Sequence, residues 1–112
     1  MRISVLCCIA LIGTVGCGGS ESTGPSASNA VNVRDNSFSP GAIAVSPQTT
    51  VTWTWRGSQS HNVVFEDGQG SSGNQVTGTH TRTFGTAGSF RYRCTNHSDS
   101  FTSGMIGTVT VQ

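Results

Sequence analysis

Cys94 and His97 stand three residues apart near the C-terminal end of the chain, Met105 follows the histidine by eight residues, and His61 lies 33 residues before the cysteine. Two imidazoles, one thiol and one thioether make a soft, mixed donor set. Cu(I) favours sulfur and low coordination, Cu(II) favours nitrogen and a tetragonal field, and a trigonal His₂Cys arrangement with a long axial Met marks a blue (type 1) copper site. A rigid compromise between the two preferences lets an ion change charge with little movement of its ligands, which makes electron transfer fast. The expected cofactor is one copper ion on His61, Cys94, His97 and Met105.

Other metal chemistries fit less well. Zinc binds Cys and His, but a Met ligand is foreign to it and its structural sites use paired cysteines. A purple dinuclear copper centre needs two cysteines in the ligand loop, where this chain has Cys94 alone. A multicopper oxidase needs further histidine clusters, and the chain has three histidines in all. The third, His80, sits among threonines and reads as a surface residue.

These ligands must be positioned by strands. No stretch shows helical periodicity; alternation of apolar and polar residues dominates instead. Val31 and Val33 share a face, as do Val51, Trp53 and Trp55; His61, Val63 and Phe65; Phe90, Tyr92 and Cys94; and Met105, Gly107, Val109 and Val111. Thr79 to Phe84 is a further strand whose inward side the pattern does not settle. Turn clusters separate these runs at Ser39-Pro40-Gly41, Ser46-Pro47, Gly57-Ser58, Asp67 to Gly73 and Gly85 to Gly88. The expected fold is all-β, a Greek-key antiparallel β-sandwich of about seven to eight strands, with a closed barrel as the alternative. His61, Cys94 and Met105 each fall in phase with the inward residues of their strands, so three candidate ligands sit at strand ends on the core side.

The N-terminal part has a different character. After Met1-Arg2, the apolar run Ile3 to Gly16 has the length of a signal-peptide core and is too short to span a bilayer. It ends in Thr14-Val15-Gly16-Cys17, which resembles a bacterial lipoprotein signal with Cys17 as the lipid-bearing residue. Thr14 departs from the leucine usual at that place, and ordinary secretory cleavage near Gly16 is the alternative. Residues 1–16 are thus expected to be a signal peptide, 17–30 (rich in Ser, Ala, Gly and Pro) a flexible tether, and 31–112 the folded domain. Export follows on either reading, to a periplasmic or other extracytoplasmic place, with a membrane anchor if Cys17 is lipidated. Cys94 is then the single thiol of the domain, so no disulfide can staple it, and an unpaired thiol there suggests a reactive group or a ligand.

Charge excludes some partners. The chain has no lysine, and without Arg2 its five arginines balance its five acids, so neither a nucleic-acid stripe nor a polybasic membrane patch is present. The expected partners are redox proteins of the envelope, met by a monomer.

Taken together, Val33-Arg34-Asp35-Asn36-Ser37-Phe38, Val51-Thr52-Trp53 leading to His61-Asn62-Val63-Val64-Phe65, Phe90-Arg91-Tyr92-Arg93-Cys94-Thr95-Asn96-His97 and Gly104-Met105-Ile106-Gly107-Thr108-Val109-Thr110-Val111 resemble the cupredoxin family, particularly its plastocyanin and pseudoazurin branch. The resemblance covers 31–112 and implies strong equatorial ligands in His61, Cys94 and His97, with Met105 as the weak axial ligand. It also implies that Asn62 ties the two ligand-bearing loops together, and that His97, with a ring edge near the surface, is where the electron leaves. Two departures stand out. Ser98 to Gly104 is longer than the usual loop, which opens the axial position to Asp99 or a carbonyl, and Asn96 replaces a common proline.

On this reading the protein is a one-electron carrier and not an enzyme. Copper binding or delivery without redox turnover is the rival, and an inert sandwich with a relic site is a third. Tyr92 and the other aromatics read as core, with Tyr92 also a candidate for the electron path through Cys94. Arg91 and Arg93 read as a solvated face that could meet a partner.

Overall fold

The computed structural model describes residues 25–112. The expected signal peptide and the lipid-bearing Cys17 lie outside these residues, as does most of the 17–30 tether. Among these residues nine strands form: β1 (Ser26–Ala27), β2 (Ala30–Arg34), β3 (Ser37–Ser39), β4 (Ala42–Val45), β5 (Thr49–Trp55), β6 (Val64–Phe65), β7 (Thr79–Phe84), β8 (Gly88–Arg93) and β9 (Ile106–Val111). Regular structure thus begins ahead of Val31. Ser26 and Ala27 pair through their backbones with Ile43 and Ala44, and both side chains are exposed. A strand held by backbone pairing alone leaves no hydrophobic alternation to read.

The strands build two facing sheets, one in the order β1-β4-β9-β8-β6 and the other β3-β2-β5-β7. The all-β sandwich expected from the alternation is what forms. Both sheets are mixed: β4 pairs with β9, β1 with β4 and β2 with β5 in parallel, while the other pairings are antiparallel.

Most strands bury alternate residues, because successive side chains point to opposite faces. Val31 and Val33, Ile43 and Val45, Val51, Trp53 and Trp55, Tyr92, and Val109 and Val111 are buried, with Asn32, Ala44, threonines and arginines as their less buried neighbours. Aromatic rings join the sheets. Trp53 meets Phe65 and Tyr92 edge to face at centroid distances of 5.5 and 5.4 Å, and Phe38 meets Tyr92 at 4.7 Å. Each such pair contributes about 0.5–1.5 kcal/mol beyond simple burial. Tyr92 lies over Gly107, its cross-strand partner, where an added Cβ would stand 2.3 Å from the ring. The Tyr92 hydroxyl is buried without a hydrogen-bond partner, and burial pushes its ionisation well above the ordinary tyrosine range.

The inward side of β7 is now plain. Phe84 is buried, and Arg82 lays its guanidinium over Phe65, Phe84 and Phe90 at 4.5–5.3 Å while bonding Asp67. An arginine stem on the core side of an edge strand, with its head held by a carboxylate, hides the alternation that an apolar residue would reveal.

Candidate metal centre

Two connections at one end of the sandwich carry the predicted ligands: β5–β6 holds His61, and β8–β9 holds Cys94, His97 and Met105. Cys94 directly follows β8 and Met105 directly precedes β9, so the β8–β9 ladder continues one step through the bond from Cys94 N to Met105 O, 3.0 Å. The chain turns at once: His97 N donates to Cys94 O at 3.1 Å, and Met105 N donates to His97 O at 3.3 Å. His61 lies ahead of β6, in an isolated antiparallel bridge with Gln75 whose two bonds are each 3.0 Å. Its carbonyl also accepts from the Trp55 indole at 3.1 Å.

The side chains converge. Cys94 Sγ stands 3.6 Å from His61 Nδ1 and 3.6 Å from His97 Nδ1, and the ligand atoms of the three residues all lie within 4.8 Å of one another. His61 and Cys94 are fully buried, whereas His97 is half-buried. A single thiol proton can serve one of the two facing nitrogens, whereas a metal ion serves both. Bonds of about 2.3 Å to sulfur and about 2.0 Å to nitrogen, as around zinc, spread at about 120°, place sulfur about 3.7 Å from each nitrogen. The observed spacing matches, so the residues fit a trigonal ion.

Met105 is buried at 1% exposure and is pinned by its backbone to both Cys94 and His97. Asp99, the alternative axial donor, is exposed and outside the three-residue cluster. The bond from Met105 N to His97 O ties the two ends of the 98–104 loop together. Buried Ser98 holds it, its hydroxyl bonding the carbonyls of Ser100 (2.5 Å) and Ser103 (2.6 Å). Gly104 closes it at φ 87°, where a Cβ would press to 2.7 Å from His97 O. Beneath the loop, Arg93 donates to Ser98 O and lies 5.1 Å from the Phe101 ring, while Arg91 pairs with Glu66. Both arginines expected on a solvated face are thus engaged within the chain.

Asn62 bonds across to the loop that carries Cys94. Its amide donates to Thr95 Oγ1 (2.8 Å) and Asn74 Oδ1 (2.9 Å), and its carbonyl accepts from Thr95 N (2.9 Å). Asn96, in place of proline, donates to Asn74 Oδ1 and Ser60 O, so three asparagines cross-link the ligand loops. His80 bonds the Gly70 carbonyl at 2.6 Å and stands apart from the metal cluster.

Asp35 was not foreseen as part of the site. Its Oδ1 accepts from His61 Nε2 at 2.9 Å, and its carboxylate also takes the N–H groups of Ser58 and Gln59 and the Ser58 hydroxyl at 3.0–3.1 Å. The bond from His61, followed by those from the two amides, holds the carboxyl well below the usual carboxylate range. In sequence, Asp35-Asn36 reads as ordinary turn chemistry, and nothing local links it to a histidine 26 residues on.

Residues 26–112 match the profile of the family described as copper binding proteins, plastocyanin/azurin family. Plastocyanin of Scenedesmus fuscus is 31% identical over 87 residues, covering 67% of this chain and 86% of that protein. Among solved structures, a mutant fern plastocyanin studied in oxidised and reduced forms superposes with a TM-score of 0.65 at 25% identity, covering 74% of this chain and 99% of that one. A purple cupredoxin from Nitrosopumilus maritimus shares the fold, with a TM-score of 0.63 at 24% identity over 76% of this chain and 100% of that one. Profile, relative and fold agree with the clustered donors, and the chain belongs to the plastocyanin/azurin family of copper-binding proteins.

Proposed function

We propose that the protein is a one-electron carrier with a single type 1 copper ion on His61, Cys94 and His97 as strong ligands and Met105 as the weak axial one. Cupredoxins bind one copper and generally use it for electron transfer. The observation that carries the reading for this chain is the buried Cys94 sulfur set equally, at 3.6 Å, from the Nδ1 atoms of two histidines. A bound copper ion would supply the Cu(I)/Cu(II) couple. The protein's part is to hold its donors still: the asparagine cross-links, the His61–Gln75 bridge and the pinned ends of the 98–104 loop fix donors on two connections. Burial of His61, Cys94 and Met105 keeps water from the sulfur side. His97, half-buried, offers its outer ring edge as the place where electrons enter and leave.

Plastocyanin-like cupredoxins typically work outside the cytoplasm, with redox partner proteins. For this chain the reading adds a monomer in the cell envelope, exported by residues 1–16 and tethered through lipid on Cys17. Voltammetry of the copper-loaded protein tests the function: a reversible one-electron wave with fast exchange is expected. Tight, colourless Cu(I) binding with a sluggish electrode response would instead assign copper delivery.

A further inference from the structure

The side chain of His61 is held at both ring nitrogens, and the second hold comes from outside the ligand loops. Asp35 sits in the β2–β3 turn, which is fixed by the Arg34–Ser37 pairing and by Asn36 at φ 71°. A carboxylate only accepts hydrogen bonds when ionised, so the 2.9 Å contact requires a His61 proton on Nε2; in the neutral ring the lone pair is then on Nδ1, the atom 3.6 Å from Cys94 Sγ. The backbone bonds of His61 to Gln75 and Trp55 fix its Cα but not the rotation of its ring; the carboxylate contact does. Gly57 makes room for this arrangement, since a Cβ there would stand 2.2 Å from Asp35 Oδ1. The Ser58 and Gln59 amides in turn orient the carboxylate.

We propose that Asp35 is a positioning residue: it fixes the Nδ1-donor form of His61, and its negative charge favours Cu(II) over Cu(I), lowering the reduction potential. This rests on the copper reading above. A carboxylate behind a ligating histidine raises ligand basicity, and loss of such partners costs about 10–100-fold in metal affinity. A more basic, negatively polarised imidazole stabilises the higher charge more. Asp35→Asn keeps the shape and removes the charge.

The test measures the reduction potential of copper-loaded wild type and Asp35→Asn, together with ¹⁵N NMR of the metal-free wild-type histidines. In Asp35→Asn, Cu(II) affinity should fall about tenfold relative to Cu(I), raising the potential by about 59 mV, with the visible band retained. His61 in the wild type should carry its proton on Nε2. An unchanged potential in a folded, coloured Asp35→Asn overturns the tuning role, even if its melting temperature falls. A neutral wild-type His61 ring with its proton on Nδ1 and none on Nε2 overturns the positioning role, and decides it even if the variant fails to fold. A wild type that never colours with Cu(II) would instead overturn the copper reading, leaving the NMR result to judge Asp35.

Discussion

Replacing Asn62 by alanine removes the hydrogen bonds to Thr95 Oγ1, Thr95 N and Asn74 Oδ1 at one stroke. Asn62 itself is 7% exposed, while Thr95 and Asn74 lie at the surface and can recover water partners. A net contribution of about 1 kcal/mol per bond, reduced for the re-hydrated partners, gives a loss of about 2 kcal/mol. For a domain of this size the unfolding entropy is about 0.18 kcal/mol per kelvin, so the midpoint of thermal unfolding should fall by about 10 °C. Thr95→Ala, which removes the hydroxyl contact alone, should lose about half as much. Circular dichroism melts of metal-free and copper-loaded protein provide the measurement. A midpoint within about 2 °C of wild type in both forms, against the expected ten, would refute the idea that these bonds join the His61 and Cys94 loops energetically.

Two further outcomes are expected. Gly107→Ala drives a Cβ into the buried Tyr92 ring at 2.3 Å, where neighbouring aromatics leave no room to move; overpacking of this kind costs about 3 kcal/mol, which denaturant titration will show as a lower midpoint at unchanged slope. The bond from Arg82 lowers the Asp67 carboxyl below its ordinary value of 3.8. Its stabilisation is therefore complete above that value and is lost as pH falls through the folded-state value. Asp67→Asn should melt below wild type at neutral pH, with the gap closing in acid; a constant gap would show that the charge is not involved.

The fold was legible because most strands bury one face, and Val51, Trp53 and Trp55 or Val109 and Val111 announce it directly. The clustering of His61, Cys94 and His97 was legible because a Cys and a His three residues apart at a strand end leave few other chemistries. What stayed hidden depends on contacts between segments distant in sequence. Asp35 serves two purposes, and the turn explains it fully until His61 is seen behind it. Asn96 read as a lost proline, yet its amide supplies cross-links to Ser60 and Asn74. Spacing also cannot show that Ser98 folds the added residues of 98–104 onto themselves. Parallel pairing of β2 with β5 and β4 with β9 likewise leaves no mark on alternation.

The visible absorption spectrum of Cu(II)-loaded protein, recorded beside Cys94→Ser, tests most directly whether His61, Cys94, His97 and Met105 form a type 1 centre. An intense blue band arising from the Cys94 sulfur is predicted for the wild type, shifted towards green if the axial bond is strong, and absent from the variant. A wild type that stays pale with Cu(II), or a colour that survives the loss of Cys94, would contradict the assignment.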